Sequence, residues 1–288
     1  MFVIGTAGHV DHGKSTLIRS LTGIDPDRLA EEKEREMTID LGFAWLELPS
    51  GRKVSVIDVP GHEHFIKNML AGVNGMDLAL LVVSANESIK PQTREHLDIL
   101  DLMEVPHIII AITQADLTDQ DQVTLVGMEI EDLLKPTRFA GVPMVPVSAV
   151  TGQGLPELKA TIDRVLSAAQ PRRDTGRPRL PIDRVFTISG SGTVVTGTLV
   201  DGTLALGQEL EILPPGLKAR IRGIQTHKTQ LSSTGPGNRV AVNLTGVSPA
   251  DLKRGMVLTR PGWLTPTSLV DAKLRLLEQP DRPLRHNT

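Results

Sequence analysis

The stretch GHVDHGKS, residues 8–15, follows directly on the apolar run Phe2–Thr6 and leads into a segment of helical periodicity. It fits the pattern GxxxxGK[ST], in which glycines let the backbone wrap closely around a phosphate and successive N–H groups face it. In that pattern Lys14 adds a mobile positive charge and Ser15 can ligate magnesium. The alternative is a glycine-rich turn with a helix cap, which the strand–loop–helix context disfavours. The stretch therefore predicts a phosphate-binding loop at the start of an α/β domain.

The rest of the first 170 residues repeats this alternation of short apolar runs and helical periodicity, which is typical of βαβ units on a mostly parallel sheet. The predicted strands are Phe2–Thr6, Ile39–Leu48, Lys53–Asp58, Leu78–Ser84, His107–Thr113 and Val142–Val147. The predicted helices are Ser15–Leu21, His62–Val73, Gln92–Leu102, Gln120–Leu134 and Pro156–Ala169. A turn at Gly51 joins the second and third strands into a hairpin, so one edge of the mixed sheet is expected to be antiparallel.

The composition changes after residue 170, where a segment rich in proline and arginine indicates a stiff, solvated linker. Beyond it, strand-like runs separated by glycine and proline turns predict a small antiparallel β-barrel. These runs are Arg184–Ser189, Thr193–Leu199, Gln208–Leu213, Ala219–His227, Arg239–Leu244 and Met256–Thr259, with a further run at Leu269–Leu277. We therefore expect a nucleotide-binding domain at 1–170, a linker at 171–181, a β-barrel domain at 182–261 and the truncated start of a third β domain at 262–288.

Composition excludes several other classes of protein. The 288 residues include no cysteine, which excludes disulfides, zinc–thiolate sites and a cysteine nucleophile. A net charge of -3 gives no overall basic surface for nucleic acid, so any RNA partner has to be inferred locally. No apolar run approaches the roughly 18 residues of a membrane span, and we expect a cytoplasmic monomer without a membrane partner.

Two further segments are expected to face the same phosphate. DVPGH, residues 58–62, ends an apolar strand, where the Asp58 carboxylate can hold magnesium and the Gly61 N–H can donate to a γ-phosphate oxygen. His62 then lies where an imidazole can orient the attacking water, the alternative being a helix-start histidine without a role.

Thr38 can complete the magnesium shell only beside a γ-phosphate, so the charge-dense loop before it is a candidate order–disorder switch, the alternative being a solvated face. The phosphate-binding candidates are Asp11, His12, Gly13, Lys14, Ser15, Thr16 and Gly61; the magnesium candidates are Ser15, Thr38 and Asp58.

Two strand-end segments indicate which base is bound. TQAD, residues 113–116, and the pair Ser148-Ala149 match the base-reading elements of GTPases in order and placement. Asp116 can accept from two donors of guanine that adenine does not present, and a backbone N–H near Ala149 can donate to guanine O6. The usual pattern is NKxD, so Gln114 lacks the lysine charge and Thr113 is expected to tether the phosphate loop less well. The guanine-binding candidates are Thr113, Gln114, Asp116, Ser148 and Ala149, with GTP or GDP and Mg²⁺ as cofactors.

The chain resembles the translational GTPases. GHVDHGKST, DVPGHEHFIKNMLAG, QTREHL and VFTISGSGTVVTGTL look like elongation factor Tu and its relatives. EEKEREMTIDLGFAWL and PIDRVFTISGSGTVVTG are similar to the selenocysteine-specific elongation factors, the SelB family. The resemblance covers almost the whole chain and implies a G domain, a second β-barrel domain and the opening of a third. Glu36 departs from the glycine that many relatives have before MTI.

The resemblance also implies a function. Members of this family in the GTP form carry selenocysteyl-tRNA to the ribosome at recoded UGA codons, and ribosome docking positions the histidine matched by His62 for hydrolysis. They favour GTP over GDP, exchange nucleotide unaided and, in bacteria, bind an mRNA hairpin through a C-terminal extension that this chain lacks. By the same resemblance, Val10 and Ile39 match a hydrophobic gate around the histidine. Asp183, Arg184 and Arg239 match an aminoacyl pocket, where two arginines suit a selenolate and the carboxylate suits the aminoacyl ammonium; an ordinary surface ion network is the alternative.

Three functions remain open at this point. The first is a selenocysteine-specific translational GTPase. The second is another translational GTPase, such as a general elongation factor. The third is a guanine-nucleotide binding module in which the departures at Thr113 and Gln114 have abolished turnover.

Overall fold

A computed structural model describes residues 2–27, 30–35, 38–73, 75–170, 172, 174–188 and 192–272. Within these ranges the first part of the chain is a mixed sheet with helices on both faces. Its strands are β1 (Val3–Ala7), β2 (Gly42–Glu47), β3 (Lys53–Asp58), β4 (Leu78–Ser84), β5 (His107–Thr113) and β6 (Met144–Pro146). Its helices are α1 (Lys14–Thr22), α2 (Ala30–Arg35), α3 (Ile66–Val73), α4 (Pro91–Leu102), α5 (Gln120–Leu134) and α6 (Leu155–Ala168). None of the helices described is long and apolar enough to span a bilayer.

The order of strands across this sheet is β2-β3-β1-β4-β5-β6. Only the β2–β3 pair is antiparallel, as the Gly51 hairpin predicts, and the other neighbours run parallel. The strands β4 and β5 are apolar except for Ser84, His107 and Thr113 at their ends, as expected for strands with both faces covered. Helices α3, α4 and α5 pack on one face and α1 and α6 on the other. The carboxyl ends of β1 and β3 therefore meet at one edge, beside the loop that precedes α1.

The second part of the chain is an antiparallel sheet wrapped around a core that includes Val195, Ile212 and Val242. Its strands are β7 (Arg179–Pro181), β8 (Arg184–Ile188), β9 (Gly192–Thr198), β10 (Leu204–Ala205), β11 (Glu209–Leu213), β12 (Leu217–Thr226), β13 (Thr229–Leu231), β14 (Ser233–Thr234), β15 (Arg239–Thr245) and β16 (Val257–Thr259). The order along the main sheet is β7-β16-β11-β12-β15-β9-β8, with β13 paired to β12, while β10 and β14 form a separate pair. The predicted fold class, a P-loop domain followed by an antiparallel β-barrel domain, is confirmed.

Several element boundaries differ from the sequence-based expectations. The strand predicted from residue 39 begins only at Gly42, because the N–H groups of Ile39 and Asp40 donate to the Glu32 carboxylate instead of a neighbouring strand. The helix predicted from residue 62 starts with a 3₁₀ turn at Glu63–Phe65 before α3. Strand β7 lies inside the segment predicted to be linker and pairs with β16. The prolines of this segment disfavour a central strand but are compatible with an edge strand, which is why the sequence pattern did not indicate it. The run predicted at 269–277 has no strand over its described residues 269–272, and the remainder lies outside the described ranges, as does Glu36.

Candidate nucleotide-binding site

An open cleft of about 680 Å³ lies at the carboxyl ends of β1 and β3. Of the predicted phosphate-binding residues, Asp11, Gly13, Lys14, Ser15, Thr16 and Gly61 line it. Gly61 approaches the loop closely, since a Cβ on it would lie 2.8 Å from the backbone nitrogen of Val10 and 2.5 Å from Lys14 Nζ. A side chain at this position would collide with the backbone of the phosphate loop, so glycine is required there.

Lys14 supplies a buried positive charge at the base of the cleft. Its side chain is 3% exposed, and Nζ donates to the carbonyl oxygen of His9 at 2.7 Å. Burial lowers the pKa of Lys14 to about 8, with Asp58 and Asp11 opposing that shift. An ammonium that is costly to bury gains most from an anion placed beside it, which is the arrangement that a nucleotide phosphate provides.

Asp58 and two hydroxyls form the candidate magnesium site. The Asp58 carboxylate is fully buried; its Oδ1 accepts from Thr6 Oγ1 at 2.6 Å, and no described residue hydrogen-bonds to Oδ2. Burial raises the pKa of Asp58, with Ser15 and Lys14 among the groups that oppose the shift. Ser15 Oγ and Thr38 Oγ1 lie 2.8 Å apart. An unpartnered carboxylate oxygen near two hydroxyls is the hard oxygen donor set that Mg²⁺ prefers, so these residues fit the ion.

The switch segment is held by a buried glutamate that sequence reasoning missed. Glu32 is 3% exposed, and its Oε1 accepts the N–H groups of Ile39 at 3.1 Å and Asp40 at 3.0 Å. Asn68 of α3 donates to the carbonyl oxygen of Ile39 at 2.8 Å. These bonds hold Thr38, 6% exposed, at the cleft. The charge-dense composition around Glu32 gave no signal that one of its acids is buried.

The far side of the phosphate loop rests on α4, which sequence reasoning also missed. The Gly8 N–H donates to His96 Nδ1 at 2.8 Å, and the Val10 N–H donates to Gln92 Oε1 at 3.2 Å. Burial lowers the pKa of His96 to about 3, so its imidazole is neutral and able to accept. Gln92 and His96 are four residues apart in QTREHL, so they lie on one face of the helix. That spacing is the sequence signal that both side chains contact the same segment.

The base-reading segments lie together beside this loop. Thr113 Oγ1 donates to the carbonyl oxygen of His12 at 2.8 Å, and Gln114 Nε2 donates to the carbonyl oxygen of Asp11 at 3.3 Å. The Ala115 N–H donates to the carbonyl oxygen of Val147 at 3.2 Å, which joins this segment to the one containing Ser148 and Ala149. Asp116 is exposed and Gln114 lines the cleft. Guanine recognition by these residues stays a prediction.

His62, Val10 and Ile39 are the candidates for the catalytic histidine and its hydrophobic gate. His62 stacks on His64 with ring centroids 4.7 Å apart, and among the described residues no hydrogen bond or ring contact joins its ring to the phosphate loop. Val10 lines the cleft. The catalytic role of His62 and the gate formed by Val10 and Ile39 stay predictions.

The three aminoacyl-pocket candidates meet at the boundary between the two parts of the chain. Arg239 forms a bidentate ion pair with Asp183, and Thr196 Oγ1 donates to the same carboxylate at 2.6 Å. Arg184 reaches across to Asp40 at 3.1 Å and to the carbonyl oxygen of Leu41. Both guanidinium groups lie over the ring of Phe43, at 3.2 Å for Arg239 and 4.8 Å for Arg184. The barrel arginines are thus in contact with the segment that follows Thr38.

Fold and cleft together define a P-loop domain of the GTPase class joined to an antiparallel β domain. The elongation factor Tu GTP-binding domain family matches residues 1–168, and elongation factor Tu domain 2 matches residues 192–259. The chain therefore belongs to the elongation factor Tu family of GTP-binding proteins.

Within this family, the chain is similar to curated proteins named selenocysteine-specific elongation factor. The selenocysteine-specific elongation factor of Desulfomicrobium baculatum is 48% identical over 99% of this chain and 45% of its own length. The protein of the same name from Methanocaldococcus jannaschii is 37% identical over 96% of this chain and 60% of its own length. The chain spans about half the length of the curated relatives it matches.

Solved structures agree with these relatives. A bacterial selenocysteine-specific elongation factor superposes with a TM-score of 0.87 at 39% identity, covering 90% of this chain and 45% of that one. Elongation factor SelB from Methanococcus maripaludis, in complex with the GTP analogue GppNHp, gives 0.81 at 35% identity, covering 90% and 54%. The predicted resemblance to the selenocysteine-specific elongation factors is confirmed.

Proposed function

We propose that this chain binds GTP with Mg²⁺ and hydrolyses it, as the N-terminal part of an elongation factor that delivers selenocysteyl-tRNA to the ribosome at recoded UGA codons. The observation that carries the nucleotide proposal is the buried Asp58 carboxylate, which has an unpartnered oxygen beside Ser15, Thr38 and Lys14. The proposal that the tRNA is selenocysteyl-tRNA rests on the similarity to relatives named selenocysteine-specific elongation factor.

In this proposal the residues of the cleft have separate tasks. Lys14 and the N–H groups of residues 11–16 hold the phosphates, while Ser15, Thr38 and Asp58 hold the magnesium ion. The ion, when bound, neutralises negative charge on the phosphate oxygens. The Gly61 N–H donates to the γ-phosphate, and His62 orients the attacking water once it has left the His64 stack. Such a rotation is consistent with hydrolysis that waits for the ribosome.

Asp183, Arg184 and Arg239 are proposed to bind the aminoacyl end of the tRNA. Support comes from the position of Arg184, whose contacts with Asp40 and Leu41 lie two and three residues after Thr38. A change at the γ-phosphate that moves Thr38 also moves Asp40, and with it the guanidinium that would meet a selenolate. The mRNA hairpin is proposed to bind a region of the longer protein outside this chain.

The first test is a pair of titrations of this chain with GTP and GDP in Mg²⁺, with ATP as control. We expect guanine binding because the candidate phosphate-, magnesium- and base-binding residues all lie within residues 8–149. We expect a preference for GTP because the selenocysteine-specific family that the chain resembles favours GTP. A strong preference for GDP contradicts the selenocysteine-specific assignment and favours a general elongation factor. Absence of guanine binding contradicts the proposal and indicates that the departures from NKxD at Thr113 and Gln114 have disabled the guanine site.

The second test separates the tRNA proposal from the nucleotide proposal. The full-length protein in its GTP form is expected to protect selenocysteyl-tRNA from deacylation and to leave seryl- and cysteinyl-tRNA unprotected. Equal protection of all three contradicts selenocysteine specificity even where GTP binding is intact. Arg184→Ala in the full-length protein should reduce that protection without loss of GTP binding, whereas Arg220→Ala, on the exposed side of the barrel, should not.

A further inference from the structure

A second cluster of metal-ligating side chains lies on the other face of the phosphate loop. His9, His12 and Glu87 each place one ligating atom within 4.8 Å of the other two. Among the residues that the structure describes, none of these three side chains lines the nucleotide cleft. The cluster is therefore separate from the site assigned to magnesium.

His12 is the observation that points to a ligand. Its side chain is fully buried, Nδ1 lies 3.3 Å from the carbonyl oxygen of Val82, and no described residue hydrogen-bonds to Nε2. A proton on Nδ1 is required to satisfy the carbonyl, which leaves the lone pair of Nε2 free. Metal-ligating histidines ordinarily use the second ring nitrogen in this way to fix the tautomer and the ring orientation.

The other two side chains can move to complete the set. Glu87 is about one-third exposed and pairs with Lys90 at 3.2 Å, an interaction that is weak at such exposure. His9 is partly buried, and its Nδ1 accepts the Asp11 N–H in a long bond of 3.3 Å. Ligands of a tetrahedral zinc ion lie about 3.4 Å apart, so contraction from 4.8 Å needs shifts of about 1 Å. Either weak bond can be exchanged for a metal bond.

We propose that His9, His12 and Glu87 bind a divalent transition metal such as Zn²⁺. Two imidazoles and one carboxylate are borderline donors that suit zinc or cobalt, whereas Mg²⁺ prefers the all-oxygen set of Asp58, Ser15 and Thr38. The ion ties the phosphate loop to the segment between β4 and α4. It stabilises the folded chain because the unfolded chain does not hold the three ligands together.

The test is a titration of the nucleotide-free chain, stripped with chelator, with Co²⁺ in excess Mg²⁺. Mg²⁺ occupies the oxygen site, and Co²⁺ in octahedral oxygen sites absorbs weakly, so intense visible absorption reports a tetrahedral site. We expect one equivalent of tetrahedral Co²⁺, displaced by Zn²⁺, and a rise in melting temperature with metal. Absence of the tetrahedral absorption overturns the proposal.

Variants assign the ligands. Glu87→Gln and His9→Gln should each weaken Co²⁺ binding roughly tenfold or more. The matched controls Glu95→Gln, exposed on α4, and His107→Gln, at the start of β5, should leave it unchanged. Binding that survives both ligand substitutions, or that falls equally in the controls, overturns the proposal. Should His9→Gln fail to fold, Glu87→Gln decides alone, because that side chain is partly exposed.

Discussion

The Thr113 hydroxyl donates a hydrogen bond of 2.8 Å to the carbonyl oxygen of His12, across 101 positions of sequence. It ties the end of β5 to the phosphate loop. Threonine stands here where the usual guanine-reading pattern has asparagine, and the hydroxyl still reaches the loop carbonyl. The sequence alone suggested a weaker tether, whereas the structure contains a direct one with normal geometry.

Thr113→Val is predicted to loosen the phosphate loop. Valine keeps the shape but leaves the buried His12 carbonyl without this donor, which costs about 1–3 kcal/mol. We expect guanine-nucleotide affinity to fall roughly tenfold, measured by titration with a fluorescent GDP analogue. Thr118→Val is the matched control, because the Thr118 hydroxyl is buried and bonds to no described residue. Equal losses in the two variants contradict the tether.

His62→Ala is predicted to separate hydrolysis from binding. Removing a group that orients the attacking water lowers the rate by about 10²–10⁴-fold. In the full-length protein we expect ribosome-stimulated GTP hydrolysis to fall by that factor while GTP affinity stays unchanged. His64→Ala removes the other ring of the same stacked pair and should retain stimulated hydrolysis. A loss of stimulated hydrolysis in His64→Ala but not in His62→Ala would show that His64, and not His62, has the catalytic role.

Arg172→Ala is predicted to destabilise the chain strongly. Arg172 Nε donates to Asp77 Oδ1 at 2.7 Å, and the two side chains are only 17% and 10% exposed. The other oxygen of Asp77 accepts the Val3 N–H at 2.7 Å, so the pair links the residues after α6 to the start of β1. Leaving Asp77 buried without its cation costs about 3–5 kcal/mol.

Urea unfolding measures this loss, and Arg220→Ala is its control. Arg220 pairs with Glu209 at 2.6 Å, but those side chains are 61% and 70% exposed, so its removal costs about 0–1 kcal/mol. A loss below 1 kcal/mol for Arg172→Ala would show that the pair is screened by solvent.

The sequence predicted the fold well because its signals are local. Leu78–Ser84 and His107–Thr113 were predicted to the residue, since each strand has an apolar run of five or more residues that ends in a polar residue. The phosphate-loop motif likewise needs only a strand, a glycine turn and a helix in sequence. Of the residues named from that motif, Asp11, Gly13, Lys14, Ser15 and Thr16 line one cleft in the structure, whereas the His12 side chain does not.

What the sequence could not provide is the set of partners brought in from far along the chain. Glu32 is buried because two backbone N–H groups seven and eight residues away need an acceptor, and composition marks it only as one acid among many. Gln92 and His96 bond to the phosphate loop more than 80 residues earlier. Strand β7 depends on pairing with β16, which is likewise invisible to a local pattern.

The chain is predicted to lose stability as the pH falls from about 6.5 towards 4. Burial lowers the pKa of His12 to about 4 and that of His96 to about 3, whereas the same residues in the unfolded chain titrate near 6.5. Between these values the unfolded state binds more protons than the folded state. The free energy of unfolding therefore rises with pH across this window, by up to about 1.4 kcal/mol per pH unit for each histidine.

His96→Gln isolates one of the two contributions. The glutamine Oε1 can accept the Gly8 N–H in place of His96 Nδ1, but it does not titrate, so the slope of unfolding free energy between pH 5 and 6.5 should fall by up to about 1.4 kcal/mol per pH unit. Urea unfolding at a series of pH values measures the slope, with exposed His64→Gln as control. A slope unchanged by His96→Gln would mean that His96 takes up its proton at the same pH in the folded chain as in the unfolded chain. That result would contradict a stabilising role for the hydrogen bond from the Gly8 N–H, because protonation removes the lone pair that accepts it and should therefore be disfavoured in the folded chain.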